Sequence, residues 1–203
     1  MKRFFILAGF LAALPFFLSR RFRVVRSIWI EAPRSAIFPK VSRLHGWTEW
    51  ARLGGGRMAV EPALPLALAG TLRSALARRA GLEPVLCWGG EGREGRLCLL
   101  GRVENRHVGF RLRMSPGAPL MEGVISFFEL GSGTRMLWSC WWTGSPNPLA
   151  RYGDLWLRRR LQRRFRTGME RLKEHVEAEV RSVVLAEQAQ GEAAAMTGSD
   201  SRV

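Results

Sequence analysis

The feature that most constrains this chain is the run of residues 23–38, which leads to the tryptophan pair Trp47 and Trp50. Residues 24–32 alternate between apolar and polar side chains, and this period of two is typical of a half-buried β-strand. Pro33 follows at a position where the fixed φ of proline suits the first turn of a helix. The run therefore predicts a strand that leads directly into a short helix, with a second short helix or turn at the tryptophans.

The second half of the chain predicts more strands and one long helix. Apolar runs separated by Gly, Asn or Pro predict five strands, at residues 85–88, 96–103, 108–114, 124–130 and 134–142. Their short connections favour an antiparallel meander. A long amphipathic helix is predicted from about residue 151, with one apolar side formed by Leu155, Leu161, Phe165, Met169, Leu172, Val176 and Val180.

The N-terminal segment predicts a membrane attachment. Residues 4–18 hold no charge and are flanked by basic residues on both sides. As a helix they would reach roughly 22 Å, against a hydrocarbon core of ~30 Å, so an anchor would need local thinning or snorkelling arginines. We assign residues 1–21 to an uncleaved anchor or signal-like segment; a cleaved signal peptide and a buried core helix are the alternatives. The flanking charges slightly favour a cytoplasmic location for the remainder. The side chains predicted to contact the membrane are Phe4, Phe5, Phe10, Phe16 and Phe17.

The remaining sequence divides into a folded domain and a tail. We predict one domain over residues 22–187, which is a usual length for a single domain. Residues 188–203 are polar and rich in Ala, Gly and Ser, and this composition predicts a disordered tail. Within the domain, residues 62–80 are rich in Leu and Ala and have a helical composition.

Three stretches together carry a family resemblance. They are the run from Arg26 to Trp50, the strand from Gly131 to Trp138, and the helical stretch from Phe165 to Lys173. In this order, over about residues 22–180, the chain resembles the START-like polyketide cyclase/dehydrase superfamily, also called SRPBCC. The closest likeness is to the subgroup with an N-terminal membrane segment.

The resemblance implies an α+β helix-grip fold, in which a curved antiparallel sheet wraps around a long C-terminal helix, here preceded by an N-terminal apolar helix. It also implies a cavity for a hydrophobic small molecule or lipid between the sheet and that helix. The chain departs from the family at residues 54–82, where a Leu/Ala/Arg-rich stretch replaces a compact strand. That stretch would either cap the cavity or pack as an ordinary helix.

Alternation identifies the sheet face that would line such a cavity, because side chains two residues apart share a face. The predicted ligand-binding residues on this face are Leu97, Leu99, Val108, Phe110, Leu112, Met136, Trp138 and Cys140, and Met114 extends the same face. The alternation is equally compatible with a face that simply fills the core. Only the resemblance favours a pocket.

The sequence offers little sign of catalysis, and we expect a non-catalytic binding domain that needs no cofactor. No carboxylate lies at a sequence spacing that would suggest an acid–base pair with His45, His107 or His175. The sequence also contains no phosphate loop, dinucleotide fingerprint or metal triad. The three cysteines lack zinc-ligand spacing and are predicted to be buried apolar side chains. The alternative is a cyclase/dehydratase-type enzyme that acts on a polyketide-like or aromatic substrate.

The charge of the chain points to anionic partners. Its formal net charge is +15, almost all of it from arginine. Residues 151–173 hold nine basic and two acidic side chains, which predict either a solvated helix face or contact with anionic lipid headgroups. Nucleic acid is a remote alternative, because the tryptophans lie in apolar strands rather than among the arginines where bases would stack.

Overall fold

The computed structural model describes residues 19–51, 53, 58–62, 84–89, 95–147 and 150–199. They form an α+β structure with a curved seven-stranded antiparallel sheet and a long C-terminal helix, consistent with the helix-grip arrangement. The elements in chain order are β1 (Arg21–Ile30), α1 (Arg34–Ser42), α2 (Leu44–Trp50), β2 (Met58–Pro62), β3 (Pro84–Trp88), β4 (Gly95–Val103), β5 (His107–Arg113), β6 (Met121–Leu130), β7 (Gly133–Thr143) and α3 (Arg151–Ser199).

The strands follow one another as a meander, except that the first strand pairs with the last. The order across the sheet is β1-β7-β6-β5-β4-β3-β2, and every neighbouring pair is antiparallel. The register sets Val24 beside Cys140 and Ile28 beside Met136, so apolar side chains of β1 and β7 share the inner face. The predicted meander is confirmed.

The inner face of the sheet packs against α2 and one side of α3 through five rings, which we call the aromatic cluster: Trp47, Trp50, Phe110, Trp138 and Phe165. The indole of Trp138 stacks on Phe165 with 4.0 Å between ring centroids, and three other rings of the cluster meet it at steep angles. Offset-stacked and edge-to-face pairs of this kind stabilise a core beyond their buried area. The middle of the space between sheet and helix is therefore filled by aromatic side chains.

Gly46 lies inside α2, which spans Leu44–Trp50. A Cβ at this position would collide with the backbone carbonyl of Lys40. The glycine therefore permits the C-terminal part of α1 to lie against α2. Two indole hydrogen bonds join the same helices, since Trp47 Nε1 donates to the Val41 carbonyl at 2.7 Å and Trp50 Nε1 to that of Lys40 at 3.3 Å.

The C-terminal helix is longer than predicted. It extends to Ser199, so residues 188–199 are helical, whereas their composition suggested disorder. Alanine, glutamate and glutamine have high helix propensity, and a helix can extend into solvent without burying a face. In the segment 54–82, residues Met58–Pro62 form a strand that pairs with β3, whereas we expected the Leu/Ala/Arg-rich stretch to replace a strand there.

Several predictions concern residues outside the described ranges. The phenylalanines that were predicted to contact the membrane lie there, namely Phe4, Phe5, Phe10, Phe16 and Phe17, as does most of the Leu/Ala-rich stretch 62–80. Among the helices that the structure does describe, none combines the length and the apolar character needed to cross a bilayer. The anchor at residues 1–21 stays a prediction.

Candidate functional site: a cleft at the start of the C-terminal helix

The residues predicted to line a pocket are brought together on the inner face of the sheet, where they are closely packed. Seven of them are 0% exposed: Leu97, Val108, Phe110, Leu112, Met136, Trp138 and Cys140. Leu99 is partly buried and borders a shallow surface groove beside Ser42 and Arg102. Contact between these eight side chains and a ligand stays a prediction, and for the seven it would require the core to open.

Cys140 illustrates the character of this interior. Burial raises the pKa of its thiol to about 12, so the side chain stays protonated and uncharged at neutral pH. A thiol in that state is a poor nucleophile and packs as a small apolar group. Trp138 Nε1 is also buried and has no hydrogen-bond acceptor among the described residues, which shows how few polar groups this region contains.

Open space occurs instead at one end of the structure, in a cleft of about 1020 Å³ that we call the end cleft. One wall is the β5–β6 connection at residues 114–119, and another is the β7–α3 connection at residues 143–146. The first turns of α3, from Gly153 to Arg164, and the end of β3 at Trp88 complete it. None of the eight predicted pocket residues is among its lining, although Met114, on the same sheet face, is.

Much of the cleft surface is apolar. Trp88, Met114 and Leu157 line it together with Pro119 and Pro146. The indole of Trp88 is only 4% exposed, and it lies so close to Gly95 that a Cβ there would collide with the ring. The absence of a side chain at Gly95, the first residue of β4, therefore allows the Trp88 ring to pack against the strand backbone.

Asp154 secures the wall between β7 and α3. Its side chain is almost fully buried, and it accepts hydrogen bonds from Trp142 Nε1 at 3.3 Å and from the Ser145 backbone N–H at 3.0 Å. These bonds tie the first turn of α3 to the connection that precedes it. Among the described residues that line the cleft it is the one carboxylate, and none of them is a histidine. A paired acid and base are thus missing from the described lining.

Two arginines give the cleft a positive charge. Arg160 and Arg164 both line it, and the guanidinium of Arg160 lies over the Trp156 ring, 5.0 Å from its centroid. Burial, together with the nearby charge of Arg160, lowers the pKa of Arg164. Within the described part of the chain, neither arginine forms an ion pair. The sequence analysis identified this basic helix but not the cleft. The walls opposite the helix are the β5–β6 connection and Trp88, which lie about 30 to 80 positions earlier in the chain.

The outer face of the sheet holds a second unusual surface, which we call the outer apolar patch. It consists of Val25, Trp29, Phe128, Leu130 and Trp141, each between 38% and 55% exposed. In the register, Arg135 lies between Trp29 and Phe128, and Arg23 lies beside Trp141. The patch thus combines aromatic side chains with arginines on the edge strand β1 and its neighbours β7 and β6.

Comparison with known proteins places the fold. No protein-family model matches the chain, and no curated protein matches it either. Among solved structures, the Zhui aromatase/cyclase from Streptomyces aligns with a TM-score of 0.57 and 13% identity, over 80% of this chain and 98% of its own. A Staphylococcus aureus protein of unknown function gives 0.57 and 10%, over 79% and 96%. A Thermus thermophilus protein gives 0.53 and 16%, over 78% and 99%. At these identities the likeness shows a shared fold alone.

Proposed function

We propose that this domain binds a hydrophobic small molecule or lipid in the end cleft and does not transform it. The observation that supports this most is the cleft itself, whose volume of about 1020 Å³ and apolar walls suit a small-molecule site. Met114, Pro119 and Leu157 would pack against the apolar body of the ligand, an aromatic ring or an acyl chain. The ligand would therefore lie at the end of the sheet, whereas the family resemblance pointed to the space between the sheet and the middle of the helix.

A binding role is favoured over catalysis by the state of the polar groups in the cleft. Acid–base chemistry on a polyketide-like substrate needs a carboxyl or imidazole group that reaches the substrate and is not otherwise engaged. Asp154 is buried, and both its oxygens already accept hydrogen bonds from the fold. It therefore serves as a structural group that shapes the cleft.

Glycines on α3 provide a sharp test of the binding site. Gly153 lines the cleft and has open space where a Cβ would be, so Gly153→Phe would place a ring in the cleft without a backbone clash. Gly191 lies on the same helix, exposed and outside the cleft, and also has open space around it. Titration of the full chain with the neutral fluorescent probe N-phenyl-1-naphthylamine should show affinity reduced roughly tenfold or more by Gly153→Phe and unchanged by Gly191→Phe. Equal binding by both variants would contradict the assignment.

We further propose that the domain works at a membrane surface. The apolar residues 4–18 would anchor the chain, and the outer apolar patch, with its arginines, would contact anionic headgroups. Tryptophan and arginine suit this interface, because they combine an apolar body with a polar or charged end. The cleft would then receive its ligand from, or deliver it to, that membrane.

Vesicle flotation separates the two parts of the membrane proposal. Deletion of residues 1–18 should abolish flotation with phosphatidylcholine vesicles, and residual binding should appear when phosphatidylglycerol is added. In the shortened protein, Trp29→Ser with Phe128→Ser should remove that residual binding. Leu100→Ser with Val103→Ser changes two other exposed apolar residues and should not. Flotation that survives the deletion on neutral vesicles would contradict an anchor at the N-terminus.

A further inference from the structure

We propose that the ligand of the end cleft carries an oxyanion, a carboxylate or a phosphate, that Arg160 and Arg164 bind together. This inference rests on the proposed function of the cleft and narrows the chemical class of its ligand to an amphiphilic acid. The apolar walls would hold the body of the molecule, and the two arginines would hold its charged end.

Helix geometry places the two guanidiniums on the same side of α3. Residues four apart lie about one turn from each other on one face, and both arginines line the cleft. Arg159 and Arg163 have the same spacing on the adjacent face and do not line it. The cleft is therefore lined by one of two arginine pairs that have the same spacing on α3.

Within the described part of the chain, no carboxylate balances the charge of this pair. Elsewhere in the described structure arginines meet carboxylates, as in Arg34 with Glu129, Arg111 with Glu122 and Arg166 with Glu170. In the cleft, Asp154 is the nearby carboxylate, but its hydrogen bonds come from Trp142 and Ser145. No ion pair connects it to either arginine in the described residues.

The unbalanced positive charge is most unfavourable at Arg164. Its guanidinium is half-buried and close enough to Arg160 for their repulsion to lower its pKa. Arginine nevertheless stays protonated at physiological pH, so the charge persists and its electrostatic cost is not removed by loss of a proton. An anion bound between the two side chains would remove that cost.

The pair is also suited to bind an oxyanion with defined geometry. A guanidinium presents parallel N–H donors that match the two oxygens of a carboxylate or phosphate. Arg160 is held over the Trp156 ring, so part of its conformational freedom is already lost before a ligand arrives. Lysines would supply charge but not this planar fork.

The test uses two probes with one aromatic body. 8-Anilinonaphthalene-1-sulfonate carries an oxyanion, and N-phenyl-1-naphthylamine is the same molecule without it. In the full chain, Arg160→Gln with Arg164→Gln should weaken the anionic probe roughly 10- to 100-fold, as expected for lost hydrogen bonds between charged groups. Affinity for the neutral probe should not change. Arg159→Gln with Arg163→Gln removes the same charge from the adjacent face and should leave both affinities unchanged.

Competition then distinguishes a carboxylate from a phosphate. Dodecanoate and dodecyl phosphate should each be compared with dodecanol for displacement of the neutral probe from the wild-type chain. Stronger displacement by either acid than by the alcohol supports the proposal and identifies the preferred headgroup. Equal displacement by all three overturns it.

The remaining outcomes separate this inference from the function on which it rests. If the Arg160/Arg164 variant loses both probes equally, the arginines contribute packing and the anion assignment is overturned, while the cleft stays a binding site. If neither probe binds the wild-type chain, the proposed function fails and this inference fails with it. Should the double variant unfold early in a thermal melt, Arg160→Lys with Arg164→Lys keeps the charge, and selective weakening of the anionic probe would still support the bidentate contact.

Discussion

Helix α3 takes part in two different regions of the molecule, which we call the packed half, around the aromatic cluster, and the open half, around the end cleft. From Leu161 to Val176 the inner side chains of the helix are at most 1% exposed and pack on the aromatic cluster. From Gly153 to Leu157, and again at Arg160 and Arg164, the helix borders the end cleft, and Trp156 is 61% exposed. One element therefore contributes both to the core and to the wall of the cleft.

The difference shows what occupies a helix-grip interior in this chain. Three tryptophans and two phenylalanines fill the middle of the space, where close packing leaves few voids larger than a water molecule. At the end of the sheet the walls are loops rich in Gly, Pro and Ser, whose small side chains leave room. Among the described residues, the end cleft thus lies at the end of the sheet and away from the packed centre.

The largest expected effect comes from the packed half. Trp138→Ala would remove a fully buried indole that contacts four other rings, and we expect it to lower the free energy of unfolding by about 3–5 kcal/mol. Trp156→Ala, on the open half, should change it by less than about 0.5 kcal/mol. Urea unfolding followed by far-UV circular dichroism measures both. Similar losses of unfolding free energy in the two variants would mean that aromatic side chains stabilise the packed and the open half equally.

A smaller effect on the free energy of unfolding is expected at Gly123, where the packed half has no room for a side chain. A Cβ at Gly123 would collide with the ring of Phe110 and the carbonyl of Ser139, so Gly123→Ala should cost about 1–3 kcal/mol through overpacking. Gly101 is also in the sheet but has open space at this position, and Gly101→Ala serves as the control. Denaturant midpoints for the two variants give the comparison, and a silent Gly123→Ala would show that the core can shift to accept a methyl group.

The smallest effect concerns the outer side of the packed half. Lys40 of α1 pairs with Glu179 of α3 at 2.6 Å, and this hydrogen bond lowers the pKa of the Glu179 carboxyl. A lowered pKa stabilises the fold above the unfolded value near 4.5, and the contribution is lost as the pH falls through the folded value. Because Glu179 is exposed, Glu179→Gln should cost about 0.5 kcal/mol or less at neutral pH and nothing in acid. A pH-independent difference between variant and wild type would contradict this origin.

Sequence patterns predicted the sheet well because its inner and outer faces differ. Strands β5 and β7 were both predicted, and the inner residues that alternation assigned to them, such as Phe110 and Trp138, are buried. Strand β1 begins at Arg21, three residues earlier than predicted. Arg21 and Arg23 point outward, and Phe22 between them is buried. One buried residue between two arginines is too short an alternating pattern to identify the start of a strand in the sequence.

The cleft was not predictable in the same way. Its walls combine Trp88, Met114, Ser145 and Arg160, which only the tertiary structure brings together. Alternation identifies the face on which a residue lies but not whether the opposite element touches it. Phe110 and Trp138 were therefore predicted to line a pocket, although the structure shows their rings in contact with other rings of the aromatic cluster.

The pairing of the first strand with the last affects how this chain can fold during synthesis. Ile30 lies beside Thr134 and Arg21 beside Thr143, so every contact of β1 with β7 spans more than a hundred residues. At synthesis rates of ~5–20 residues per second, β1 would leave the ribosome roughly 5–25 s before its partner. During that interval Phe22, Val24 and Ile30 have no strand beside them, next to an apolar segment that precedes them. The strand that is made first is thus among the last to enter the sheet, and such long-range pairing is expected to slow folding.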